Sequence, residues 1–177
     1  SDDGSGGVET YFFLDGDSGR TRFNDGKYLV FGTDQNLFIV HDGSNSYIQN
    51  YTTGDLRIDQ QVDDKDIVFR CDDGSGGLTT YLTLDGSETN IKVEKNLYAT
   101  DGVLLSVGSG LDLRLKHDGT DSFIFNETGD LYIQNKADDK DIFFQSDDGS
   151  GGVTEYIRID GGVKRTLFKE EGRFTDN

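Results

Sequence analysis

The chain has no proline, no methionine and no tryptophan, and it has a single cysteine. A membrane-spanning helix needs about 20 consecutive apolar residues, and no stretch here approaches that length. The sequence therefore predicts no membrane insertion, and no signal peptide is visible. Cys71 cannot form a disulfide within the chain. Proline often protects exposed strand edges, so charge and short strand length must do so here.

Basic residues are also scarce. The chain has 17 Lys and Arg against 34 Asp and Glu, a net charge of −17. Because binding to phosphates requires a basic face, nucleic acid is excluded as a partner, and adhesion to an anionic membrane is disfavoured. The acidity suits the solubility of a β-rich surface. A divalent cation bound at the surface is the alternative interpretation, and no other cofactor is predicted.

Apolar residues make up 33% of the chain, so large side chains for a core are few. When the 24 glycines are counted with them, the apolar fraction is close to that of globular proteins. A single unit of about 75 residues with so few large apolar side chains would have marginal stability. Stacked units or partner chains must therefore complete its core. The absence of methionine and the periodic pattern at both ends lead us to expect a segment of a longer polypeptide.

The chain is instead rich in internal repeats. The seven residues 1–7, SDDGSGG, recur at 71–77 and 146–152 with one change, and residues 52–86 match 127–161 at 21 of 35 positions. The segment HDGSNSYIQN at 41–50 returns as HDGTDSFIFN at 117–126. Tandem repeats predict an array of similar units, here 1–70, 71–145 and a partial unit 146–177. Because a motif present in every copy is a poor candidate for a unique active site, we predict no enzyme and no catalytic residues.

The apolar residues recur with a period of two, which predicts β-strands with one buried face. Short strands alternate with Asp-Gly turn signals, and no convincing helical stripe is present, so the predicted fold class is all-β. Comparison of the copies identifies the inward positions as those where both members are large and apolar. These pairs are Leu56/Leu131, Ile58/Ile133, Ile67/Ile142, Phe69/Phe144, Leu82/Ile157 and Leu84/Ile159.

The copies differ most in length between Gly86 and His117, where six residues are added relative to the span from Gly16 to His41. Insertions collect in surface turns. We therefore expect the units to superpose except around 88–110, and we expect His41 and His117 to occupy equivalent environments.

The HDG and DDGSGG motifs are the first candidates for chemistry. For His41 and His117 the favoured role is structural, with the ring packed at a turn and bonded to backbone, and ion or ligand contact is the alternative. The DDGSGG loop lacks the lysine and the following helix of a phosphate-binding loop. Residues 108–115 resemble part of a calcium-binding nonapeptide, but the match stands alone and its counterpart at 32–39 has lost it. Glycosylation sequons at 50–52 and 126–128 are weak patterns.

The strings FGTDQNLFIVHDGSNSYIQNYTTGDLRI, DDKDIVF and DDGSGGLTTYLTLDG resemble the repeat blocks of tail-fibre-like structural proteins of marine bacteriophages, especially those infecting cyanobacteria. The most specific stretches are 41–50, 128–135, 137–161 and the GTxxxL sequence that begins at Gly32. The resemblance implies a fibrous virion appendage that is a parallel homotrimer and reaches the host surface. It brings no functional residues, because the repeats resemble a shaft and not a receptor-binding tip.

The sequence thus predicts a repetitive short-strand fibre, similar to a β-solenoid or triple β-helix and intertwined as a homotrimer, in the virion or outside the cell. Its partners would be copies of itself, other virion or fibre proteins and, indirectly, a host glycan or receptor. The alternatives are a single-chain β-solenoid filament at a bacterial surface, which could bind divalent cations, and a polysaccharide depolymerase, which would need one carboxylate-lined groove.

Overall fold

The computed structural model describes residues 1–169, and within that range its regular secondary structure is entirely β, as predicted from the sequence. Most strands are short and alternate with turns that contain glycine. In chain order the strands are β1 (Phe12–Asp15), β2 (Arg20–Phe23), β3 (Leu29–Phe31), β4 (Leu37–His41), β5 (Ser46–Asn50), β6 (Ile67–Asp72), β7 (Leu78–Asp85), β8 (Asn90–Val93), β9 (Leu104–Val107), β10 (Leu113–His117), β11 (Ser122–Asn126), β12 (Ile142–Asp147), β13 (Val153–Asp160) and β14 (Arg165–Phe168).

Every strand pairs antiparallel with its neighbour in sequence, so the sheets are small meanders. Two of them, β3-β4-β5 and β9-β10-β11, contain the HDG motif and are called the HDG sheets. Two others, β6-β7-β8 and β12-β13-β14, contain the DDGSGG motif and are called the DDGSGG sheets; β1-β2 is a shorter copy of the same kind. The two kinds alternate along the chain. No barrel or solenoid forms among residues 1–169.

The chain divides into two units, Ser1–Leu97 and Tyr98–Asn177. The first contains β1 to β8 and the second contains β9 to β14, so no sheet is split between them. The predicted repeat boundaries after residues 70 and 145 follow the sequence period and stay a prediction.

The repeats adopt the same register, as the matched buried positions predicted. Ile67 pairs with Leu84 and Phe69 pairs with Leu82 in the first DDGSGG sheet. Their counterparts Ile142, Phe144, Ile157 and Ile159 pair in the same way in the second. Both sheets have a β-bulge directly after this phenylalanine. The extra residue is Tyr81 in the first sheet and Tyr156 in the second.

The prediction that Leu56 and Ile58, with Leu131 and Ile133, occupy strands is wrong for this chain alone. All four residues lie outside every strand, and they are 49%, 62%, 48% and 60% exposed, respectively. Alternation of apolar and polar residues favours a strand, but a strand also needs hydrogen bonds to a neighbouring strand. Residues 55–61 and 130–136 have no such neighbour within the described residues 1–169.

The inserted residues occupy a narrower region than the predicted 88–110. The connection from β8 to β9 covers 94–103, whereas the equivalent connection from β2 to β3 covers 24–28, of which Tyr28 corresponds to Leu104, the first residue of β9. Strand β8 keeps the common register, because Leu84 pairs with Ile91 as Leu14 pairs with Thr21. Strand β9 does so too, because Leu105 pairs with Leu115 as Leu29 pairs with Ile39. The extra length is therefore confined to one connection.

Little of the chain is buried. Among the described residues only Val40 and Thr83 are buried, each at 7% exposure. The chain exposes 14936 Å², whereas two separate compact units of half its mass would together expose about 10,300 Å². The predicted marginal core is confirmed, because each sheet leaves one of its faces largely uncovered.

Candidate functional site

Each HDG sheet has a face made of aliphatic side chains. Residues directly opposite one another on neighbouring strands project from the same face, and these rows cross all three strands. Their members are between 36% and 62% exposed. The rows are Leu29–Ile39–Ile48 in the first sheet and Leu105–Leu115–Ile124 in the second. We call this surface the aliphatic face.

The opposite face of the HDG sheets is not maintained between the copies. In the first sheet Phe38 makes edge-to-face contacts with Tyr28 and Tyr51, at ring-centroid distances of 5.6 and 5.9 Å. In the second sheet the position of Phe38 is taken by Arg114, which lies 5.1 Å from the Phe125 ring and forms an ion pair with Glu127. This face therefore carries aromatic contacts in the first sheet and charged groups in the second, while the other face is aliphatic in both.

The DDGSGG sheets show the same division. One face carries the row Phe69–Leu82–Val93 in the first sheet and Phe144–Ile157–Phe168 in the second. The other face carries Thr83, whose hydroxyl donates to Glu94, and its counterpart Arg158, which binds Glu155 at 2.8 Å.

The HDG turns close the β4–β5 and β10–β11 hairpins in the same way. His41 Nδ1 shares a hydrogen bond with Ser46 Oγ at 3.1 Å, and His117 Nδ1 does so with Ser122 Oγ at 3.0 Å. The glycine between the strands, Gly43, has φ of 100°, a conformation that glycine adopts without a steric penalty. The equivalent environments of the two histidines confirm the prediction made from the repeat.

The prediction that each histidine ring hydrogen-bonds to the backbone is wrong. The imidazole contacts a serine hydroxyl, and the backbone contact belongs to the histidine carbonyl, which accepts from the N–H of Gly26 for His41 and of Gly102 for His117, at 2.8 Å each. Ser46 lies directly across the hairpin from His41, so the short turn dictates the contact.

The neighbouring aspartate serves the turn. Asn45 and Ser44 donate their backbone N–H groups to Asp42 Oδ1 at 2.8 Å each, and the Tyr47 hydroxyl donates to Oδ2 at 3.1 Å. The two N–H bonds, from Asn45 first and then Ser44, hold the pKa of the Asp42 carboxyl below its usual value. The imidazole of His41 bonds Ser46 and makes no hydrogen bond to Asp42, so no Ser–His–Asp relay forms at this turn.

An open groove borders each HDG turn. Its volume is 460 Å³ beside His41 and 430 Å³ beside His117, and in both copies the aliphatic row and the serine line it. Lys27 also lines the first groove, where it is ion-paired with Glu9. Aliphatic walls can bury an apolar side chain, and the recurrence gives the chain two equivalent sites of this kind.

The second aspartate of each DDGSGG motif accepts hydrogen bonds from groups of its own loop. Asp73 Oδ1 accepts from the Ser75 hydroxyl at 2.7 Å, from the Ser75 N–H at 2.8 Å and from the Gly77 N–H at 3.0 Å. Asp3 and Asp148 make the same three contacts. These hydrogen bonds lower the pKa of the Asp73 carboxyl, and the bond from the Ser75 hydroxyl has the largest effect. The loop is a turn stabilised by its own aspartate.

The remaining motifs also have local roles. Residues 108–112, within the nonapeptide-like stretch, form the turn between β9 and β10. The sequon residues Asn50 and Asn126 donate their side-chain amides to the carbonyls of Gly54 and Gly129, at 2.7 and 2.8 Å. Cys71 is an exposed free thiol. Within residues 1–169, no group of three or more His, Cys, Asp or Glu side chains could hold a metal ion, and no helix could cross a membrane.

The chain matches no family model, no curated protein and no solved structure. The aliphatic rows of the HDG sheets were not among the residues predicted from the sequence. The signal was present, because the pairs Leu29/Leu105, Ile39/Leu115 and Ile48/Ile124 lie at the constant offset of 76 residues that relates the two histidines.

Proposed function

We propose that this chain is a shaft segment of a fibrous virion appendage that supports attachment to a host surface. In this proposal three parallel copies wind into a triple β-helix-like homotrimer, and the aliphatic faces are buried between them. The observation that carries the proposal is the repeated aliphatic face, which is left uncovered by the chain itself. Covering it with copies of the same chain removes that apolar surface from water, which is the main favourable term in association.

The amount of surface supports an obligate assembly. The chain exposes about 4,600 Å² more than two compact units of its total mass would. Interfaces of obligate complexes bury roughly 2,000–5,000 Å². A chain with this much surface reaches the burial of an ordinary protein only in contact with other chains.

The roles of the polar groups favour a structural function over a catalytic one. The aspartates and histidines of the two recurring motifs bind groups in their own turns, and they do so in every copy described. A turn that holds its shape through internal bonds makes a regular spacer. The resemblance to phage tail-fibre repeats supports the proposed location, in a virion or outside the cell, and the proposed partners, which are other fibre proteins.

Sedimentation and negative-stain electron microscopy of the chain test this proposal together. We expect a species of three times the chain mass of 19.6 kDa that appears as a slender rod, because the proposed shaft requires its repeats to follow one another along its length. A compact monomer that persists at micromolar concentration would contradict the proposal. Immunolabelling of purified virions then tests the location, and antibody binding along their fibres is the expected result.

A further inference from the structure

Two segments of the chain resemble strands in sequence but have no partner. Residues 55–61 and 130–136 lie outside every strand, turn and bridge. None of their main-chain N–H or C=O groups is hydrogen-bonded to another group among residues 1–169. Each segment nevertheless begins with the pattern of a half-buried strand, Asp-Leu-x-Ile. A sequence that alternates in this way buries one side, and a strand satisfies its main chain through a neighbour.

The two segments match each other in the features that a strand uses. Leu56 and Leu131 occupy one equivalent position, and Ile58 and Ile133 occupy the next on the same side. All four side chains are roughly half exposed or more. The residue between them is Arg57 in one copy and Tyr132 in the other, so only the apolar side is maintained between the copies.

We infer that residues 55–61 and 130–136 become β-strands only in the assembly, where each pairs through its main chain with the same region of a neighbouring copy of this chain. This mode is strand addition, in which main-chain hydrogen bonds give affinity and alternate side chains give specificity. Leu56, Ile58 and their counterparts are buried between the copies. The inference rests on the proposed self-association and names the residues that carry it.

Two observations select another copy of this chain as the partner. The unpaired segment occurs twice, at an offset of 75 residues. A parallel copy presents the same segment twice at the same spacing, so both sites are filled at once, whereas an unrelated partner would need that spacing independently. The excess surface of about 4,600 Å² per chain is also large enough for a permanent assembly, in which each partner buries roughly 1,000–2,500 Å².

A paired set of variants separates main-chain pairing from side-chain contacts. Proline at residues 57 and 132 removes one N–H donor from each segment and blocks pairing there. The double variant Arg57→Pro with Tyr132→Pro should raise the dissociation constant of the assembly at least ~100-fold. The matched control, Arg57→Ala with Tyr132→Ala, loses the same side chains but keeps the N–H groups, and it should stay within about threefold of the wild type.

Amide hydrogen exchange on the wild-type chain supplies the second measurement. Amides of 55–61 and 130–136 should exchange as slowly in the assembly as those of the sheet strands, and freely once dilution dissociates it. An assembled wild type whose segments exchange freely, or a proline variant that assembles like its alanine control, would overturn the inference and leave the proposed function standing. A wild-type chain that never assembles would overturn both.

Discussion

The two HDG sheets have the same strand register, and their side chains differ in character on one face only. Their aliphatic rows are Leu29–Ile39–Ile48 and Leu105–Leu115–Ile124, with the same size and apolar character at each step. On the reverse side, Phe38 has become Arg114 and Val40 has become Lys116. The face that tolerates charge can be in water, and the face that excludes charge is the one expected to be buried. In the single chain the aliphatic face is the more exposed one, since Ile39 is 42% exposed and Val40 on the reverse face is 7% exposed. Comparison of the copies shows that this exposed face is the one that keeps its apolar character.

The largest expected effect comes from placing charge on the aliphatic face. The double substitution Ile39→Asp with Leu115→Asp puts a carboxylate in the middle of each row, where burial would leave it without a partner. We expect the dissociation constant of the assembly to rise at least ~100-fold, as measured by sedimentation equilibrium.

The control for that variant lies on the opposite face. Val30→Ser and Gln49→Asp change one apolar and one polar residue of the first HDG sheet, and serine is the residue found at the matching position of the second sheet, Ser106. Both should assemble like the wild type. Equal weakening by changes on either face would remove the distinction between the faces.

Acid should affect both kinds of sheet through their turn aspartates. The carboxyls of Asp42, Asp73, Asp118 and Asp148 have pKa values lowered by hydrogen bonds in the folded chain. A depressed pKa contributes stability that is present above the unfolded value of about 3.9 and is lost as pH falls through the folded value. The melting temperature should therefore decrease progressively below about pH 4.

Asparagine variants assign that acid dependence to particular loops. Asp73→Asn with Asp148→Asn removes the titrating groups of the two DDGSGG loops, so the melting temperature at neutral pH should fall and its slope on the acid side should become shallower. The comparison is thermal unfolding of variant and wild type between pH 2 and 7. An unchanged acid slope would show that these aspartates do not carry the dependence.

A smaller effect is expected in the turn that links the last two strands of the DDGSGG sheets. The same turn position is Gly19 in β1-β2, Thr89 in β7-β8 and Lys164 in β13-β14, with φ of 64°, 51° and 54°. A β-branched residue is strained in this left-handed region. Thr89→Gly should raise the free energy of unfolding by about 1 kcal/mol. Lys164→Gly should give a smaller gain in denaturant unfolding, and Gly19→Thr should reverse the sign.

The smallest effect is expected from the ion pair on the reverse face of the second HDG sheet. Glu127 is about half exposed where it meets Arg114, and exposed pairs of this kind contribute about 0.2–1 kcal/mol. Glu127→Gln should therefore destabilise the sheet by less than 1 kcal/mol, less so at high salt, and leave assembly unchanged. A loss of assembly would place this face in the interface.

Much of the local structure could be predicted from the sequence because it depends on short-range rules. Period-two alternation gave the strands around Ile67 and Phe69, and the repeat offset gave the equivalence of His41 and His117. The same alternation misplaced Leu56 and Leu131, because a pattern specifies a side to bury and does not specify which chain covers it. The aspartate contacts within the DDGSGG loop depend on turn geometry that composition alone does not reveal.

Cysteine cross-linking at two adjacent residues of β5 tests the central claim most directly. In a Cys71→Ser background, which restores the serine found in the other two copies, Ile48→Cys places a thiol on the aliphatic face and Gln49→Cys places one on the opposite face. Both side chains are exposed in the single chain. With a short bifunctional maleimide, which can join only two chains that carry one thiol each, we expect Ile48→Cys to yield covalent dimers and Gln49→Cys to remain monomeric on a denaturing gel. Cross-linking of Gln49→Cys alone, or of neither variant, would contradict burial of the aliphatic face between copies.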